Sequence, residues 1–215
     1  MKHLRPRALV FDMDGLLVDS EPLWHEVEKD FISARGGVWT YELAMQCTGL
    51  GIGPGIQLMG RTCGFEVDEA RDVVELEDRF VARVNEVELK PGALQFLQIA
   101  HDKLPVGLAS SSTRRLIDTI LHRFQLRDHF RVTVSGQEVP RAKPFPDVYL
   151  RAAELLGVEP TSCVALEDSR NGCRAARAAG MQVIAVPEIR SEDFASLADV
   201  VVGNLDEARA LVELP

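Results

Sequence analysis

Ala8-Leu9-Val10-Phe11-Asp12-Met13-Asp14-Gly15 is the stretch that decides how this chain folds. Its four apolar residues read as a short strand buried on both faces, and the run ends in two carboxylates one residue apart. A buried carboxylate without a partner is costly, so a strand that ends in two needs a cation or a positive side chain beside it. Open α/β sheets gather ligands at the carboxyl ends of their strands. Asp12 and Asp14 therefore mark a candidate reaction site. Asp-x-Asp-Gly alone is also an ordinary turn, so the rest of the chain must decide.

Further short apolar runs follow at Val106–Ala109, Val132–Val134, Val164–Leu166, Val183–Val186 and Val200–Val202. Segments with helical spacing lie between them, at Arg114–Phe124, Asp147–Leu156 and Asn171–Ala179, and Gly157 and Gly180 sit where helices should stop. The alternation predicts an α/β fold, a doubly wound parallel sheet covered by helices on both faces. Val18 to Leu89 breaks the rhythm. It shows no convincing strand and reads as helices at Pro22–Arg35, Tyr41–Cys47, Ile56–Cys63 and Asp68–Glu86. A crossover needs far fewer residues, which predicts an inserted helical cap at 18–88 on a core of 1–17 and 89–215. Gly49-Leu50-Gly51-Ile52-Gly53-Pro54-Gly55 fails the dinucleotide pattern at Pro54 and follows no strand, so it reads as an interhelical turn.

Composition narrows the class. The 215 residues can build one sizeable core with a modest insert, and 46% hydrophobic with 27% charged residues is ordinary for a globular protein. A formal charge of -9 argues against nucleic acid or an anionic membrane as partner, though not against a small anionic substrate. Cys47, Cys63, Cys163 and Cys173 show no metal-ligand spacing, which points to a reducing compartment. No apolar run approaches transmembrane length, and no leader follows the basic start. A cytoplasmic monomer is expected.

Other strand ends are polar as well. Val106–Ala109 runs into Ser110-Ser111-Ser112, and Val164–Leu166 into Glu167-Asp168-Ser169. Lys143 lies in Arg141-Ala142-Lys143-Pro144-Phe145-Pro146, where two prolines suggest extended backbone before a helix. Taken singly, Ser110 and Asp168 could be helix caps and Lys143 a surface charge. Taken together at one sheet edge, they suit phosphoryl transfer. Asp12, Asp168 and Glu167 can offer hard oxygen ligands to Mg²⁺, Lys143 adds positive charge, and Ser110 can donate to a phosphoryl oxygen. Asp14 fits a general acid and base whose pKa its neighbour's charge should raise.

In order and spacing, Asp12-Met13-Asp14-Gly15, Ser110, Lys143-Pro144 and Glu167-Asp168-Ser169 with Gly172 resemble the four motifs of the haloacid dehalogenase-like phosphohydrolases. The run from Asp12 to Trp24 is especially similar to the 2-deoxyglucose-6-phosphate and hexitol phosphatase group. The resemblance covers the core; the cap matches only in size and helical character. It implies a Mg²⁺-dependent phosphatase of a small phosphorylated metabolite, with Asp12 as nucleophile and Asp14 as proton carrier. Ser110, Ser111 and Lys143 would bind phosphate. Asp12, Asp168 and the Asp14 carbonyl would hold the metal, and Glu167 would touch it directly or through water. The alternative is a β-phosphoglucomutase-like mutase, but such enzymes carry a cap histidine where Trp24 stands, with His25 one place off, and a cap arginine near Ile52. A dehalogenase would lack Asp14. The five histidines form no cluster and read as surface or packing residues. Trp24 and Phe31 read as packing, Arg61 and Arg79 as a solvated helix face, and Glu21 as an N-terminal helix charge near the hinge.

Overall fold

A computed structural model describes residues 3–188 and 192–215. Six strands, β1 (Ala8–Phe11), β4 (Val106–Ser110), β5 (Val132–Ser135), β6 (Cys163–Glu167), β7 (Gln182–Ala185) and β8 (Val200–Val201), form one parallel sheet in the order β5-β4-β1-β6-β7-β8. The chain extends the sheet from β1 on one side through β4 and β5, then crosses back to β6 on the other. That reversal leaves β4, β1 and β6 side by side at the switch point where such sheets hold ligands.

Side-chain size differs between the two faces. Leu9, Phe11, Leu108, Leu166 and Ile184 point to one side, where α5 (Ala93–His101), α6 (Arg114–Arg123) and α10 (Leu205–Leu211) pack. Ala8, Val10, Ala109, Ala165 and Ala185 point to the other. There α7 (Asp147–Leu156) and α8 (Arg170–Ala178) bring their own small residues, Ala152, Ala153, Ala175 and Ala176, against the sheet, with α9 (Glu192–Leu197) beyond. Small residues on both partners let these helices approach closely, which brings side chains of α7 within reach of the strand ends.

Four helices lie between the first and second sheet strands: α1 (Glu21–Ser33), α2 (Tyr41–Cys47), α3 (Ile52–Cys63) and α4 (Glu69–Ala82). They share an apolar interior of residues such as Leu23, Phe31, Ile56 and Phe80. The expectation that this stretch holds no strand is corrected at its ends. β2 (Val18–Asp19) and β3 (Glu88–Leu89) pair antiparallel, so both passages of the chain run through one two-stranded ribbon. Strands of two residues leave no periodicity to read. The third helix also starts earlier than its apolar pattern suggests, at Ile52, so only Gly49 to Gly51 form the turn. Asp68–Glu86 divides into α4, capped by the Asp68 side chain, and a short 3₁₀ turn at Val84–Glu86. Among the described residues no helix is long and apolar enough to cross a membrane.

Candidate active site

The carboxyl ends of β1, β4 and β6 converge as expected, and Lys143 joins them from the segment before α7. Its Nζ donates to Asp12 Oδ1 at 2.7 Å and to Glu167 Oε1 at 2.6 Å, and its side chain is 1% exposed. Burial works against the ammonium, but Asp12 and Glu167 overcome it and hold the pKa above its ordinary value. Around Lys143 the expected extended backbone is instead a turn. The Lys143–Pro144 peptide is cis, and Phe145 N–H donates to the Ala142 carbonyl at 3.0 Å. Proline at the third position of a turn accommodates that geometry.

Glu167 is fully buried and fully engaged. Its Oε1 also accepts from Tyr149 Oη at 2.6 Å, while Oε2 accepts from Asp168 N–H, Ser169 N–H and Ser169 Oγ at 3.2 to 3.3 Å. Gly172 makes room for it. A Cβ there would overlap the Glu167 carboxylate, just as one on Gly15, at φ 77°, would overlap Asp168. The cap readings are resolved as well. Thr113 caps α6 and Ser169 caps α8, which leaves Ser110 and Asp168 for the site.

Asp14 is gripped by serines. Ser20 Oγ donates to Oδ1 at 2.8 Å and Ser112 Oγ to Oδ2 at 2.7 Å, with Ser110 Oγ at 3.5 Å. Its pKa is raised, as expected, but burial is the largest cause, with Glu21 adding and the Ser112 and Ser20 hydroxyls opposing. The Asp12 charge expected to raise it is not among the leading causes. Ser20 and Ser112 were missed because a hydroxyl's orientation leaves no mark in a sequence. Ser111, expected at the phosphate, donates its Oγ to the Gly49 carbonyl of the α2–α3 turn at 3.0 Å. Asn171 Nδ2 donates to the Thr48 carbonyl beside it at 3.2 Å, so the loop after β4 and the first turn of α8 both hold that turn.

Three carboxylates, Asp12, Glu167 and Asp168, place oxygens within 4.8 Å of one another. One ammonium pairs with Asp12 and Glu167 but not with Asp168, whose Oδ1 is buried without a hydrogen-bond partner among the described residues. Burial, then the charge of Glu167, lifts Asp12 to about 7, and burial with the Asp12 charge lifts Asp168 well above the carboxylate range. A surplus of buried negative charge with an orphaned hard oxygen fits a small divalent cation such as Mg²⁺.

Above this centre is a pocket whose other wall belongs to the helical insert. Asp12, Asp14, Ser110, Ser111, Lys143 and Asp168 line its floor. Glu21, Trp24, His25 and Glu28, on one face of α1, line the opposite wall with Cys47, Met59 and Leu76. His25 is therefore more than a surface or packing residue. Trp24 stacks on Phe80 at 4.3 Å between centroids, so it packs and also faces the cavity. Glu28 was missed because Glu26, Lys29 and Asp30 on the same helix make it read as one more solvated charge, and only its burial against the cavity sets it apart. Arg61 and Arg79 lie outside the pocket; Arg61 is exposed and Arg79 pairs with Glu75 at 2.8 Å.

Residues 6–180 match the family model described as haloacid dehalogenase-like hydrolase. Hexitol phosphatase B of Escherichia coli (strain K12) is 39% identical over 209 residues, with 94% of each chain covered. The phosphorylated carbohydrates phosphatase of Thermotoga maritima is 32% identical over 187 residues, covering 82% of this chain and 83% of that one. The crystal structure of CbbY from Rhodobacter sphaeroides in complex with phosphate has a TM-score of 0.82 at 29% identity, covering 94% of this chain and 96% of that one. With this sheet, these strand-end residues and these relatives, the chain belongs to the haloacid dehalogenase-like hydrolases, on the branch shared with hexitol phosphatase and CbbY.

Proposed function

We propose that this phosphoric monoester hydrolase acts on a small sugar or polyol phosphate, with the phosphoryl group carried in transit by Asp12. The observation that carries the reading is Asp12 held by Lys143 beside an Asp14 fixed by Ser20 and Ser112, beneath a pocket walled by helices. Asp12 and Asp168, with the Asp14 carbonyl, would hold Mg²⁺. Glu167 stands at the edge of that set, since its oxygens already accept five hydrogen bonds. When bound, the ion offsets phosphoryl charge so that an anionic ester can meet an anionic nucleophile.

The residues divide the chemistry. An Asp12 carboxylate oxygen attacks phosphorus, and the bond from phosphorus to the leaving oxygen breaks. Asp14, whose raised pKa favours the protonated form, gives that oxygen its proton. Asp14 then takes a proton from water as the water oxygen attacks the aspartyl phosphate, which restores both carboxyl groups. Ser110 and Lys143 hold phosphoryl oxygens. Residues 18–88 serve as the cap, hinged at the β2–β3 ribbon, and exclude bulk water when they rest on the core. Four free cysteines suit a reducing cytoplasm, where the chain would work as a monomer.

The test is phosphate release from a panel of sugar, polyol and nucleoside monophosphates, with and without Mg²⁺, for wild type and Asp12→Asn. Mg²⁺-dependent release that favours sugar or polyol esters and vanishes in the variant is expected. Release that survives Asp12→Asn would overturn the assignment of the nucleophile.

A further inference from the structure

Phosphoryl transfer leaves one wall of the pocket unused. Glu21, Trp24, His25 and Glu28 stand at i, i+3, i+4 and i+7 on α1, hence on one face, and all four line the cavity opposite Asp12. Glu28 is 8% exposed, yet among the described residues its only hydrogen bond comes from Trp39 Nε1 to Oε2, at a long 3.5 Å. Among the described residues, buried His25 Nε2 has no partner nearer than Glu21 Oε2, at 3.5 Å. Buried polar groups are normally satisfied, so a wall with polar atoms to spare is shaped for the hydroxyls of a ligand.

Charge narrows the ligand further. Among the described residues lining the pocket, Lys143 is the only lysine or arginine, and its ammonium is held by Asp12 and Glu167. The insert contributes two carboxylates and no permanent cation. A second phosphate or a carboxylate on the leaving group would face Glu21 and Glu28 with no lysine or arginine of that wall to offset it. An uncharged, hydroxylated alcohol meets no such penalty.

We infer that Glu28 is a specificity-determining residue, which hydrogen-bonds a hydroxyl of an uncharged leaving alcohol. The inference rests on the sugar or polyol phosphatase reading, and a binding experiment separates the two. Titration calorimetry in Mg²⁺ would compare a hexitol 6-phosphate with inorganic phosphate on Asp12→Asn protein, alone and combined with Glu28→Leu or Glu28→Gln. Glu28→Leu should weaken the hexitol phosphate about tenfold and change inorganic phosphate by less than about twofold. Glu28→Gln keeps polar atoms at the same place and should recover most of the loss. Equal weakening of both ligands, or none for the hexitol phosphate, would overturn the assignment. Turnover of the same ester by wild type is read separately: binding that depends on Glu28 without phosphate release would sink the phosphatase reading and leave the Glu28 contact standing.

Discussion

Replacing Glu28 by glutamine should stabilise the protein above neutral pH relative to its stability in acid. Burial, opposed by the Trp39 hydrogen bond and by His25, raises the Glu28 carboxyl from 4.5 to about 7. The folded chain therefore holds this proton more tightly than the unfolded chain does. The stability it contributes is fully present below about 4.5 and is lost as pH rises through about 7. At ~1.36 kcal/mol for each pH unit, the gap from 4.5 to about 7 amounts to about 3 kcal/mol. A glutamine does not titrate, so its amide adds only a constant offset. Urea denaturation of both proteins at a series of pH values from about 4.5 to about 8 would read the difference. The variant should gain on wild type steadily across that range, by up to about 3 kcal/mol, and then level off. A difference that stays constant from acid to alkali would show that Glu28 carries no buried charge, and the reasoning fails.

Gly172→Ala should destabilise the fold by about 1–3 kcal/mol and depress turnover, because the added methyl overlaps the Glu167 carboxylate; unchanged stability on denaturant titration would count against that packing. Lys143→Met leaves Asp12 and Glu167 buried with no ammonium between them, so a loss of about 3–5 kcal/mol is expected, and a variant as stable as wild type would refute the pairing. Ser112→Ala removes a hydrogen bond that holds the Asp14 pKa down, so the limb of the rate profile belonging to Asp14 should move to higher pH; a limb that stays put would detach Asp14 from that step. Chelation of divalent ions should stop phosphate release and added Mg²⁺ restore it, with full activity in excess chelator as the contrary result.

Much of the core was legible because its signals are local. Ala8–Phe11 is buried on both faces and so must be apolar at every position, a run that reads as a strand without any knowledge of its partners. The strand ends are equally legible, since carboxylates, serines and a lysine interrupt apolar runs only where something compensates them. Other features leave no such trace. The β2–β3 ribbon consists of residues adjacent only after some seventy intervening positions have folded back, and two residues per strand set up no period.

From the sequence alone follow the parallel sheet, the helical insert and the set Asp12, Asp14, Ser110, Lys143, Glu167 and Asp168, because burial and charge constrain each residue where it stands. Tertiary structure alone decides how that set divides. Glu167 gives its oxygens to Lys143, Tyr149 and the β6–α8 loop, while Asp168 Oδ1 has no hydrogen-bond partner among the described residues. Ser111 turns to the Gly49 carbonyl, and Ser20 and Ser112 close on Asp14. The wall of the pocket, with Glu28 and His25, likewise exists only once α1 lies over the end of β1. Hydrogen-bond direction and the facing of one element on another are properties of distance and angle, and a chain acquires them only when it is packed.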